Sequence, residues 1–288
     1  MKFGQILITV LIAAAVAYGA SRASYPSQTQ PSAAVEPAFE RVKQTSTIRC
    51  GFVDYEPANF RDPATGEMKG ILYEVAEAIG KQTGYKIEWV QAGGWATFMT
   101  DLEQGKFDVF CGAAWGIQPK EYQVTEASGP IYYSAISAWV HNDASKFNSS
   151  LGNVNDPPVT IVATDGSLPM VLSKERFPNA KILALPETAD YVNNLLNVAN
   201  RKADVGFVER YIGNKYAAAN PGQVKNITPD NPVHVSPNLF EVRKGEHSLL
   251  SVIDMALNTL RYNGEIDRII GKYEPAPGTF LRQAKAYQ

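Results

Sequence analysis

Glu209 ends the run Asp204-Val-Gly-Phe-Val-Glu209, a strand of mostly apolar residues with an acid at its carboxyl end. An acid there contributes little to core packing. It can hold an ammonium group or satisfy the amides of a following helix. Two tryptophans stand in glycine-containing loops, Gly93-Gly94-Trp95 and Trp115-Gly116, where a large ring is costly to expose without a partner. They read either as an aromatic wall for an apolar or cationic group, or as caps on the core beneath them. Glu56, Glu74 and Glu209 with these rings would favour a basic amino acid or an amine. Covalent and metal chemistry have less support. No G-x-S-x-G elbow, P-loop or H-E-x-x-H occurs, and His141, His234 and His247 show no ligand spacing. No catalytic residue, metal or cofactor is expected.

The elements that must position these residues alternate. Ile48 to Val53 reads as a short strand, followed by the polar, Pro-broken Asp54-Tyr-Glu-Pro-Ala-Asn-Phe60. After Gly70, residues Ile71, Leu72, Val75, Ala76 and Ile79 recur at helical spacing, and Gly84 stops that helix. Ile87 to Val90 predicts a strand, Trp95 to Gln104 a helix and Phe107 to Gly112 another strand. Such alternation calls for a parallel α/β sheet, whose ligands sit outside the carboxyl ends of the strands. Asp54–Phe60 and Gly112–Glu121 leave those ends and should face one crevice. Downstream, Val159 to Ala163 predicts a buried strand, and Ser167 caps a helix from Leu168 to about Phe177. A helix through Val192, Leu195 and Ala199 leads to the Glu209 strand. A return strand, Asn238–Val242, is followed by a long helix through Leu249–Leu260, and a last helix covers Glu265–Tyr273.

Composition excludes some classes. The chain has 288 residues, 45% hydrophobic and 10% aromatic, enough for one large core or two moderate ones. A formal net charge of −2 leaves no basic surface for nucleic acid. Lys2 precedes an apolar run from Phe3 to Gly19, so residues 1–23 read as an export signal peptide or, uncleaved, a membrane anchor. Cleavage would remove two of the 27 basic groups and none of the 29 acids, leaving 25 against 29 and a net −4. Residues 24–38 have the composition of a flexible linker.

Several motifs in order carry a resemblance. Phe39-Glu-Arg-Val-Lys43 before Ile48-Arg-Cys-Gly51, Gly70-Ile-Leu-Tyr-Glu-Val-Ala, Gly105-Lys-Phe-Asp108, Gly129-Pro-Ile-Tyr-Tyr133, Ala203-Asp-Val-Gly-Phe-Val-Glu209 and Val242-Arg-Lys-Gly245 resemble the family 3 extracellular solute-binding proteins, the periplasmic amino-acid-binding type. The resemblance runs from about Phe39 to Glu274. It implies the type II periplasmic-binding-protein fold: two α/β lobes, each a mainly parallel sheet flanked by helices, joined by two hinge crossings. Lobe 1 would comprise residues 39–137 and 239–275, lobe 2 residues 138–238, and residues 276–288 a tail with no family equivalent.

The resemblance also implies a site. Glu209 falls at the family's ammonium-binding acid. Gly166 and Ser167 fall where a turn presents amides to the ligand carboxylate. Tyr55, or Glu56 on a gapless count, falls where a ring stacks on the ligand. The family's carboxylate-binding arginine is absent. Counting from Asp108 puts Lys120 in its place, whereas counting back from Ser128-Gly-Pro130 puts Glu121 there; the strand is the firmer anchor and favours Lys120. Ala114 and Trp115 replace the small hydroxyl residues that usually precede the arginine. Cys50 and Cys111 would lie on neighbouring parallel strands. Such strands seldom give disulfide geometry, so two buried free thiols are expected, with a bridge as the alternative in an exported protein.

The leading function is the periplasmic or extracellular binding protein of an ABC importer. As a monomer it would capture a small solute by lobe closure and deliver it to a membrane permease. A membrane-tethered solute sensor is the second reading, and a dehydratase-like enzyme on the same scaffold the third.

Overall fold

The strands and helices expected from the sequence form, and others that carried no expectation, such as the strand Tyr132–His141 and the helix Arg210–Ala219, join them. The computed structural model describes residues 36–116, 119–147 and 151–283; the expected leader, residues 24–35 of the linker and the last five residues lie outside them. In chain order the elements are α1 (Ala38–Thr45), β1 (Thr47–Phe52), β2 (Phe60–Arg61), β3 (Met68–Lys69), α2 (Ile71–Thr83), β4 (Lys86–Gln91), α3 (Phe98–Glu103) and β5 (Val109–Ala114). Next come α4 (Glu121–Val124), β6 (Thr125–Ala127), β7 (Tyr132–His141), β8 (Thr160–Thr164), α5 (Leu168–Arg176), β9 (Lys181–Leu185) and α6 (Val192–Ala199). The chain continues with β10 (Val205–Glu209), α7 (Arg210–Ala219), β11 (Val224–Asn226), β12 (His234–Arg243), α8 (His247–Tyr262), α9 (Glu265–Tyr273) and β13 (Phe280–Leu281). Among the described residues no helix is long and apolar enough to cross a membrane.

The main sheet runs β4-β1-β5-β12-β7-β10-β8-β9. Strands β4, β1 and β5 pair in parallel at one end, and β10, β8 and β9 at the other. The two groups meet in the long antiparallel strands. His234–Asn238 of β12 pairs with β7, whereas its other half pairs with β5 and β6. Strand β12 changes partners at Asn238 and Leu239, and β7 and β12 together connect the two parallel groups, as the crossings between the lobes of the expected fold would.

Local chemistry explains the helix boundaries. Helix α2 buries Ile71, Leu72, Val75, Ala76 and Ile79 and ends on Gly84 in the left-handed conformation (φ 79°). Gly70 before it has φ 132°, and a Cβ there would lie 2.2 Å from the carbonyl oxygen of Ala58, so only glycine fits. The helix predicted over Trp95–Gln104 is confined to Phe98–Glu103, because the Gly93-Gly94 turn delays its first backbone bonds to Gly94. Trp95 therefore stays in the loop.

Two expectations change. Cys50 and Cys111 form a disulfide, with Cα atoms 5.4 Å apart, and are not free thiols. In the β1–β5 ladder Cys50 pairs with Val109, so Cys111 lies two residues further on and on the same buried face. The tail, which the resemblance leaves without a family equivalent, returns to the crossing strands: Phe280 pairs with Ser134 and Leu281 with Tyr133. Phe280 is buried edge-on to Tyr132 (5.2 Å between centroids) and stacked on Tyr211 (5.7 Å).

Burial has one costly consequence at the β5–β12 side of lobe 1. Glu241 is buried, has an unpartnered Oε2, and lies near the buried Glu121. Burial first, and the charge of Glu121 second, push its carboxyl up to about 8, against a smaller opposing hydrogen bond from Thr125. A carboxyl whose native pKa exceeds its unfolded value binds its proton more readily when folded, so this group's contribution to stability falls as pH rises from about 4.5 to about 8. Glu241→Gln is expected to flatten that slope in urea unfolding measured at pH 5, 6.5 and 8; an unchanged slope would mean that Glu241 titrates normally.

Candidate functional site

The site lies where the lobes meet. Backbone bonds in both directions between Tyr55 and Asn59 close the loop after β1, and the buried Asn59 amide donates to the carbonyl of Cys111 (2.8 Å). The disulfide joins β1 to β5, so one staple supports the strands that deliver Tyr55 and Trp115. From the other lobe, β10 ends at Glu209 and α5 begins at Ser167, whose Oγ accepts the amide of Met170.

Tyr55 donates its hydroxyl to Glu209 across the junction. Glu209, 4% exposed, is also hydrogen-bonded to Ser134 of β7. The chain of contacts extends through both crossings: Asn238 of β12 donates to Ser134 Oγ (2.9 Å) and accepts from the Trp115 indole (3.1 Å). Burial raises the Glu209 carboxyl, while its bonds from Ser134 and Tyr55 act the other way. Burial and the neighbouring Glu209 charge hold the Tyr55 hydroxyl well above its ordinary value, so it remains a donor at any physiological pH.

A cavity of about 110 Å³ opens beside Glu209. Its aromatic lining comprises Tyr55, Trp95, Trp115, Tyr191 and Phe207. Ile136, Leu168, Val208 and Ile212 add hydrocarbon, and Gly166 and Ser167 add the start of α5. Tyr55 meets Trp95 edge to face at 5.9 Å and Tyr191 at 6.4 Å. Outside lies a larger groove that shares Tyr55, Trp95, Tyr191 and Ile212 with the cavity.

The structure thus brings Tyr55, Trp95, Trp115, Gly166, Ser167 and Glu209 to one cavity. It places four other candidates elsewhere. Ala114 ends β5 buried in the cluster of Phe98, Phe107 and Phe110. Lys120 precedes α4, which packs beside α3, and pairs with Glu103 there (3.4 Å) in place of lining the cavity. Glu121, the alternative, is buried near Glu241. Glu56 lies in the outer groove and spans the lobes, with Lys215 Nζ 2.7 Å from one oxygen and the Tyr211 hydroxyl 3.0 Å from the other.

Sequence reasoning missed Tyr191, Ser134 and Asn238. Tyr191 follows the carboxyl end of β9, so the crevice rule that selected Trp115 could have selected it. Ser134 and Asn238 carried no such signal.

The Glu56–Lys215 pair favours contact between the lobes without touching the cavity. Lys215→Ala is expected to weaken solute binding by up to about fivefold, the scale of an exposed pair, and to enlarge the radius of gyration by small-angle scattering. Unchanged affinity and radius would show the pair to be incidental.

The profile of the bacterial extracellular solute-binding proteins, family 3, matches residues 48–276. The chain belongs to this family. Among solved structures, an ancestral amino-acid-binding protein, a precursor of cyclohexadienyl dehydratase, is 25% identical with a TM-score of 0.67, covering 81% of this chain and 97% of that one. A putative binding component of an ABC transporter from Wolinella succinogenes, complexed with lysine, is 20% identical with a TM-score of 0.69 over 81% and 97%. The L-cystine solute receptor of Neisseria gonorrhoeae, in its unliganded open conformation, is 21% identical with a TM-score of 0.62 over 82% and 95%. No curated protein sequence matches the chain significantly. As a family 3 solute-binding protein the chain has the two-lobed type II fold of these neighbours.

Proposed function

We propose that this protein is the extracytoplasmic receptor of an ABC-type importer, which closes its lobes on a small amine-bearing solute and presents it to a membrane permease. The observation that carries the reading is the buried Glu209 at the junction, held by Ser134 of a crossing strand and by Tyr55 of the opposite lobe. A carboxylate so placed responds to the solute and to lobe position together, which couples binding to closure. The Cys50–Cys111 bridge favours an oxidising compartment, in keeping with export by the apolar segment Phe3–Gly19. The reading is of a binder and not a catalyst. Among the described residues the hydrogen-bond partners of Glu209 are the hydroxyls of Ser134 and Tyr55, and the Tyr55 hydroxyl stays protonated, which supports a binder over an acid–base pair.

Thermal unfolding of the full-length protein with amino acids, amines, small carboxylates and short peptides tests this. A solute at 100 times its Kd adds about 2.7 kcal/mol, a shift of several degrees. Stabilisation with a decrease in radius of gyration supports a receptor. Stabilisation by none of the panel would remove the reading.

A further inference from the structure

The cavity walls specify what kind of amine fits, given that the protein is a solute receptor. We infer that the solute is an organic ammonium or guanidinium compound without an α-carboxylate. Around Glu209, the one carboxylate of its described lining, the cavity presents the rings of Tyr55, Trp95, Trp115 and Tyr191, and ring faces attract cations. An α-amino acid brings a carboxylate within two bonds of its ammonium, and that group needs a cation of its own once water is excluded. The described walls hold no lysine or arginine. Lys120 is engaged with Glu103, and Lys215 with Glu56 in the outer groove. The internal residues outside the described set, Ile117, Gln118 and Asn148–Ser150, carry no charge. The start of α5 at Ser167 offers about half a positive charge, less than the full charge of a solute carboxylate held in the same cavity as Glu209.

Two further observations point the same way. The outer groove is acidic, with Asp54, Glu56, Glu187 and Asp190 against the single base Lys215, so its field draws cations toward the cavity and repels anions. The cavity is also small. Its roughly 110 Å³ is less than the roughly 150 Å³ of an apolar cavity that admits benzene. An ammonium or guanidinium head fits such a space, and a longer solute would extend into the acidic groove that shares Tyr55, Trp95, Tyr191 and Ile212 with the cavity, where a carboxylate at its far end is disfavoured.

The test is calorimetry of the full-length protein with pairs that differ only in the carboxylate: cadaverine against lysine, and agmatine against arginine. Choline, glutamate and glutamine complete the set. The amine of at least one pair is expected to bind ten times or more tighter than its amino acid, and glutamate not at all. Equal or tighter binding of lysine or arginine overturns the inference. So does binding confined to glutamine, glutamate or another carboxylate, although the receptor reading then stands. If no solute in this set or the wider panel binds, both fall. Trp115→Ala separates the cage from general acidity: an at least tenfold loss for choline or the preferred amine is expected, and an unchanged affinity would remove the rings from the argument.

Discussion

Replacing Glu209 with glutamine is expected to weaken binding of an ammonium-bearing solute by about 100-fold or more while leaving the fold at least as stable. The two effects have one cause. Glu209 is a buried carboxylate whose pKa is raised by desolvation, so its charge is costly to the folded protein in the absence of a cation. Glutamine keeps the size, its carbonyl can accept from Tyr55 while its NH2 donates to the Ser134 hydroxyl, and it removes the charge. Truncating one partner of a buried charged contact commonly costs 2–5 kcal/mol of affinity, hence the expected scale. Calorimetric titration alongside differential scanning calorimetry would show affinity lost and the melting temperature unchanged or raised. Binding within threefold of wild type would mean that the solute's cation goes elsewhere. A melting temperature lowered by many degrees would mean that the carboxylate is structural.

Removing the Cys50–Cys111 bridge, by Cys→Ala at both positions or by reduction, should lower stability by about 4 kcal/mol. The linked residues are 61 apart in sequence, and closing a loop of that size removes roughly this much entropy from the unfolded chain. At about 2–4 °C per kcal/mol for a protein of this size, the melting temperature falls on the order of 10 °C. The effect should reach the site as well, because the bridged strands end in the loops of Tyr55 and Trp115. Affinity is expected to fall less than stability does, since the β-ladder and the Asn59 bond to Cys111 still hold both loops. Thermal unfolding with and without reductant, followed by titration of the reduced form, checks both statements. A shift below 2 °C would show that the unfolded chain is already compact about this pair.

The sequence by itself determined the features that rest on short-range order. The α/β class followed from apolar residues at spacings of two and of three to four. The end of α2 followed from Gly84, the start of α5 from Ser167, and the place of Glu209 from the apolar run before it. These signals survive folding because each is set by sterics and hydrogen bonding within one or two turns of chain. Tertiary structure decided whatever depends on how two distant segments register. The approach of β1 and β5 on one buried face turned two expected thiols into a disulfide. The packing of α4 beside α3 put Lys120 against Glu103 and outside the cavity lining. Ser134 and Asn238 are ordinary polar residues of long strands until β7 and β12 pair and set them in line between Trp115 and Glu209. Phe280 is an unremarkable tail residue until it pairs with β7 under Tyr211. In each case the sequence supplies the groups, but which groups meet is a property of the ladder between two strands or the contact between two helices, and no local pattern encodes it.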